Sequence, residues 1–181
     1  MSDTPSPNDA NGSSPSSAGG TDPKPGGTDP KQGVGLRVLA QYLKDLSFES
    51  PRAPNIFAQQ QNPPHISVNV DVNARAIGET QYEVELTVGA KATGGDDAIF
   101  VAETTYAGAF EIIGVPKDQV EPILLIECPR LLFPFLRQVL AETTQAGNFP
   151  PVMLDPIDFF SIYEQRKREA NKSPQNVQFT T

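Results

Sequence analysis

The chain has 181 residues, enough for one domain with polar extensions, and carries 22 acidic against 14 basic side chains for a net charge of −8. That balance argues against electrostatic capture by nucleic acid or anionic lipid and leaves basic or apolar surfaces as partners. Cys128 is the only cysteine, which excludes an intrachain disulfide, and no window reaches the ~20 apolar residues that a membrane-spanning helix needs. The sequence reads as a cytoplasmic protein without stable membrane insertion.

Residues 1–33 consist almost wholly of Ser, Pro, Gly, Asp, Asn, Thr and Lys, and the hexapeptide GGTDPK occurs twice within them. After Met1 no large apolar side chain precedes Val34, so a disordered tail is expected, followed by one domain over 34–169 and a second tail over 170–181. The first residues lack the basic-then-apolar order of a secretory leader, and no glycine-rich run leads into Lys-Ser/Thr as a phosphate loop would.

Residues 34–50 fit two periods. Leu36, Leu39, Leu43 and Leu46 make a helical stripe, whereas Val38, Ala40, Tyr42, Leu46 and Phe48 make one strand face. Propensity leans slightly to helix, and the stop at Pro51 leans the other way. The proline-rich loop of 51–64 carries Ile56 and Phe57, a pair expected to pin it to its own core.

Strict alternation from Ile66 to Ala76 predicts a strand, and Tyr82 to Ala90 alternates as a second. The Gly94-Gly95 pair supplies the positive φ of a hairpin leading to a third strand over 99–113, with Gly108 as a candidate bulge. A short helix is expected over 117–126, broken at Cys128 because Pro129 lacks an N–H and restricts the residue before it. The helix resumes near Arg130, keeps Pro134 in its first turn or as a gentle kink, and ends at Gly147. After the proline-rich 149–156, acids at Asp155 and Asp158 favour a last helix whose apolar side holds Phe159, Phe160, Ile162 and Tyr163. Strands first and helices afterwards predict an α+β fold, with the helices on one side of an antiparallel sheet.

Little in the residues supports catalysis. One Cys and one His, Cys128 and His65, cannot furnish a four-ligand zinc site and stand far apart for a nucleophile and base. Most acids alternate with apolar residues along the strands, which is the pattern of a solvated sheet face. The third strand is apolar-leaning on both faces, with Phe100, Ala102, Thr104 and Tyr106 on one and Val101 beside Glu103 on the other. That, with the generous apolar content of the helices, points to an oligomer.

Four motifs then give the chain a family. Residues 42–54 (YLKDLSFESPRAP), Tyr82-Glu83-Val84, Cys128-Pro129-Arg130-Leu131-Leu132-Phe133-Pro134 and Gly147-Asn148-Phe149-Pro150-Pro151 closely resemble the bacterial protein-export chaperone family SecB, in its order and spacing, from Leu36 to Arg168. The resemblance implies a four-stranded antiparallel sheet followed by a broken long helix and a C-terminal helix, so that 34–50 is the first strand. It also implies a homotetramer, a dimer of dimers, which needs no enzyme activity, nucleotide or metal. Such a tetramer holds unfolded precursor proteins and passes them to the SecA ATPase. By the same likeness Asp45, Glu49, Val101 and Glu103 would dock that motor, and Ala102, Thr104 and Tyr106 would lie at the tetramer interface. A receptor for unfolded chains needs long apolar grooves, and here Ile56, Phe57, Val68, Val70, Leu132, Phe133 and Leu136 are expected to line one. The other class consistent with the residues is an oligomeric adaptor that binds a folded partner through the acidic face alone. This chain departs from the family pattern in its long Pro/Gly tail, in a second tail without acids, and in the Gln59-Gln60-Gln61 run where an aromatic is often found.

Overall fold

The computed structural model describes residues 35–59, 64–95 and 97–172; the tail expected over 1–33 and most of the one expected over 170–181 lie outside them. Four antiparallel strands, β1 (Gly35–Glu49), β2 (His65–Ala76), β3 (Gln81–Gly94) and β4 (Asp97–Ile113), form one sheet in the order β1-β4-β3-β2. The helical segments are α1 (Asn55–Gln59), α2 (Lys117–Pro122), a π-helical turn (Ile123–Glu127), α3 (Cys128–Ala146) and α4 (Phe159–Lys172). Ala170, Asn171 and Lys172, expected as tail, continue α4.

Burial of one sheet face builds the core. Val84, Leu86 and Val88 of β3 and Phe100 and Phe110 of β4 are enclosed against Leu132, Leu136 and Leu140, which recur on one side of α3. Their in-register partners put them on the same face, since Ala92 opposes Phe100, Leu86 opposes Tyr106 and Tyr82 opposes Phe110.

The segment with two periods is a strand, as the family likeness implied and against its helical propensity. Register shifts at Val38/Ala40 and Leu43/Asp45 each insert one residue. The side chains sharing the helix-side face are therefore Leu36, Val38, Gln41, Leu43, Leu46 and Phe48. Two bulges stretch a period of two until it imitates a helix, and pairing with β4 overrides the local preference.

Two other expectations are corrected. Gly108 pairs in plain register with Val84 and forms no bulge. Its role is close approach: a Cβ there would come 2.7 Å from the Phe110 ring and 2.9 Å from Leu132 Cδ2. Nor does the chain break at Cys128, which stays helical at φ −61°, ψ −48°. The wider π turn of residues 123–127 leads straight into α3, and Pro129, which lacks an N–H, follows just after it. Gly147 ends α3 without a left-handed backbone (φ −74°); Asn148 takes that conformation at φ 64°. Glycine is required there because a Cβ would lie 2.3 Å from the Phe48 ring.

Candidate functional site

Residues 149–157 cross in front of β2 as an extended strap. Its prolines exclude helix, and Phe149, Val152 and Leu154 anchor it as buried side chains while Met153 is 61% exposed. Thr144 of α3 ties it down, because its Oγ1 accepts the Val152 N–H at 3.0 Å while donating back to the Leu140 or Ala141 carbonyl. Between strap and strand lies an open groove of ≈ 470 Å³ walled by Ile66, Val68, Val70, Met153, Pro156 and Ile157. Ile66 and Val68 are 40% and 46% exposed. Such contiguous uncovered apolar surface on a sheet edge marks a binding site.

One end of the strap continues into an aromatic cluster. Phe149 stands 4.9 Å from Phe100, 5.4 Å from Phe57 and 6.2 Å from Phe48, ring centre to ring centre. α1 brings Phe57 to this cluster and leaves it 41% exposed, while the neighbouring Ile56 is buried.

Of the residues expected to line a groove, Val68 and Val70 do wall it, and Phe57 borders the strap that forms its other side. Ile56 sits in the core. Leu132 and Leu136 are fully enclosed beneath α3, so they support the sheet and present no surface to a ligand. Phe133 packs edge-on to Phe159 at 6.1 Å, joining α3 to α4. Sequence reasoning missed Ile66, Met153, Pro156 and Ile157. Ile66 continued the alternation of Val68 and Val70, and Met153 was an apolar residue in a stretch that prolines hold extended; those were the available signals.

The open face of the sheet has a different chemistry. Asp45, Glu49, Val101 and Glu103 come together there, since Glu49 opposes Val101, Ser47 opposes Glu103 and Asp45 opposes Thr105. The three acids are exposed and Val101 is half-buried. Among the described residues none of the three has an ion-pair partner, although Lys91 stands opposite Val101. Lys44, the neighbour of Asp45, turns away to Glu83 at 3.0 Å and Glu85 at 2.6 Å.

Glu83 itself is only 4% exposed. It accepts from Tyr42 Oη and from Lys44, which reach it from β1 over the small Ala107 and Ala109 of β4, and from Nε of Arg75, directly opposite on β2, at 2.5 Å. The Tyr42 hydroxyl first, then Arg75, holds its carboxyl down at about 2. The hydrogen bond to Glu83 raises the Tyr42 and Arg75 groups, and Glu85 first, then Glu83, raises Lys44.

The residues matched to a subunit interface divide. Ala102 and Thr104 are wholly enclosed under the helices and touch no outside surface. Tyr106 is half-buried and stacks on the exposed Phe135 of α3 at 5.8 Å and 9°. Opposite Tyr106 stands Leu43, and Leu43, Leu46, Val38 and Leu131 are each 40–44% exposed, a broad apolar patch along the β1 edge. The Cys128 thiol is fully enclosed, and burial, with the Glu127 charge, pushes it up to about 12, so it supplies no thiolate at neutral pH. Among the described residues no group of three His, Cys, Asp or Glu side chains could hold a metal ion, and no helix is long and apolar enough to cross a membrane.

The profile of the family described as preprotein translocase subunit SecB matches residues 29–170. A protein-export protein SecB of Bradyrhizobium is 51% identical over 130 residues, covering 72% of this chain and 80% of its own. Its counterpart in Maricaulis maris is 52% identical over 144 residues, covering 79% and 84%. Among solved structures, a SecB-like chaperone of Mycobacterium tuberculosis, in complex with a peptide from an antitoxin, superposes with a TM-score of 0.56 at 14% identity over 67% of this chain and 90% of that one. That likeness concerns the fold alone.

Proposed function

The chain belongs to the SecB family of protein-export chaperones, and from that premise we propose that it is an ATP-independent holdase that keeps precursor proteins unfolded and delivers them to the SecA motor. The observation that carries this reading is the open apolar groove between β2 and the strap. An unfolded chain exposes Leu, Val and aromatic side chains, each contributing ~1.5–3 kcal/mol in gross terms when buried. A groove without a closed shape accepts many sequences, and repeated weak sites gain affinity through effective concentration. The edge strand adds backbone groups on its outer side, and Met153 supplies a pliable contact. The peptide-bound mycobacterial relative is consistent with such a use.

Two further features belong to the reading. The apolar β1 edge with Leu43, Tyr106 and Phe135 would be covered by other copies in a homotetramer, a dimer of dimers, which a native mass measurement checks; a monomer at micromolar concentration would refute it. Asp45, Glu49 and Glu103, lacking ion-pair partners among the described residues, would dock a basic surface of the motor, with Val101 as the apolar contact.

Light scattering from a denatured precursor, diluted with and without the chaperone, tests the main proposal. Equimolar tetramer is expected to suppress aggregation, and Val68→Asp, which puts a charge on the groove wall, is expected to weaken that suppression without unfolding the protein. No suppression by the native chain would sink it. Those acids, without ion-pair partners among the described residues, also favour a second reading, an oligomeric adaptor for a folded partner. An adaptor would bind one folded protein and ignore denatured ones in the same assay.

A further inference from the structure

A second apolar hollow, of ≈ 400 Å³, is bordered by Arg166 and shares no lining residue with the groove. Val72 and Leu124 form its buried floor, and Ala74, Val120 and Leu125 its half-buried sides. Lys117, Glu121 and Arg166 stand around it. Arg166 fixes the course of α4 there, donating from Nη1 to the Val72 carbonyl at 2.5 Å and pairing through Nη2 with Asp71.

The chain continues from this point. Lys172, the end of α4, is six residues past Arg166, ~9 Å along a helix. Nine residues follow, SPQNVQFTT, in which Pro174 disfavours continued helix and no side chain is charged. Val177 and Phe179 are two apart and share one side of an extended backbone. Extended chain from Lys172 reaches Val177 within ~17 Å and Phe179 within ~24 Å, enough to return to a hollow bordered by Arg166. Of all residues outside the described ones, the large apolar side chains are Met1, Val34, Val177 and Phe179, and Val34 is tied directly to β1. Val177 and Phe179 are therefore the one apolar pair within reach, and a neutral segment meets no repulsion from the mixed charges of the rim.

We propose that residues 173–181 dock in cis on this hollow, with Val177 and Phe179 covering Val120, Leu125 and Ala74. The docked segment fastens α4 to the β2 edge and leaves the client groove free, so the assignment does not depend on the holdase reading.

The test uses the full chain carrying Phe179→Trp, which adds a lone indole to a protein without tryptophan. Docking predicts emission to the blue of a solvated indole, moved back to the red when Val120→Glu is added. Emission at the solvated position in the full chain would overturn the proposal. A blue shift that fades on dilution would overturn it in favour of a second copy as occupant, and one that needs added denatured polypeptide would overturn it in favour of a client. Where Val120→Glu impairs folding, hydrogen exchange on the chain ending at Lys172 decides: loss of the segment is expected to speed exchange over residues 72–74 and 117–125 by about tenfold, and unchanged rates would refute docking.

Discussion

On the helix side of the sheet β3 and β4 enclose Val84, Leu86, Val88 and Phe110, whereas on the open side the same strands carry Glu83, Glu85, Glu103 and Glu111. Enclosure exists on both sides but has different origins. On the helix side a second layer of protein excludes water, and stability follows from volume and fit. On the open side nothing among the described residues packs on top, and Glu83 is covered by the side chains of Tyr42, Lys44 and Arg75. That cover consists of charged hydrogen bonds, so it responds to pH and to loss of charge. On the function proposed above, clients and motor would be divided in the same way: apolar surface at the helix-side edges for the first, and acids without an ion-pair partner among the described residues, on the open face, for the second.

The comparison is broken most severely by emptying the helix side. Leu132→Ala, at a site with no exposure and seated on Gly108, should lower stability by ~2–5 kcal/mol in urea unfolding. A loss below ~1 kcal/mol would mean that α3 is not the source of enclosure.

A smaller effect is expected on the open side. Glu83→Gln should cost ~1–3 kcal/mol at neutral pH, because three donors lose their charged acceptor. Its pH dependence gives the sharper reading. The Glu83 carboxyl titrates lower in the folded chain, about 2, than its ordinary 4.5, so the unfolded chain binds the proton first on acidification. The stabilisation is complete above 4.5 and lost as pH falls from there towards 2. Urea midpoints of the Glu83→Gln protein should fall less steeply across that window; equal slopes would contradict the assigned network.

The smallest change in stability, within ~0.5 kcal/mol, is expected from Asp45→Asn with Glu103→Gln, because both acids are exposed and have no ion-pair partner among the described residues. Its consequence should appear in binding instead. Affinity for the motor at low salt is expected to drop while client holding is retained, and unchanged affinity would remove those acids from the docking surface.

Much of the fold was legible because β2 and β3 alternate without interruption, the apolar face of β3 being buried and that of β2 turned to the same side of the sheet. β1 was not, because its two bulges turn a spacing of two into alternating twos and threes, and only pairing with β4 reveals the common face. The helical run over 123–147 showed its apolar stripe but not which side would meet the sheet. Leu132 and Leu136 are enclosed, while Leu131 and Phe135, one position away in each case, are more than 40% exposed. A helix turns 100° per residue, so adjacent apolar residues end on different faces, and the contact at Gly108 selects between them.

The sequence by itself determined the antiparallel sheet followed by helices, and its four motifs carried the resemblance to the family. The first follows from spacing and local backbone chemistry, the second from motif likeness. Only the tertiary structure decided that Ile66, Val68 and Val70 share a groove with a strap some 85 residues later in the chain, that Thr104 is interior, and that Glu83 is covered on a face open to water. Each of these depends on which residues distant in the chain become neighbours, and that is set by the one arrangement in which the sheet buries its apolar face beneath α3.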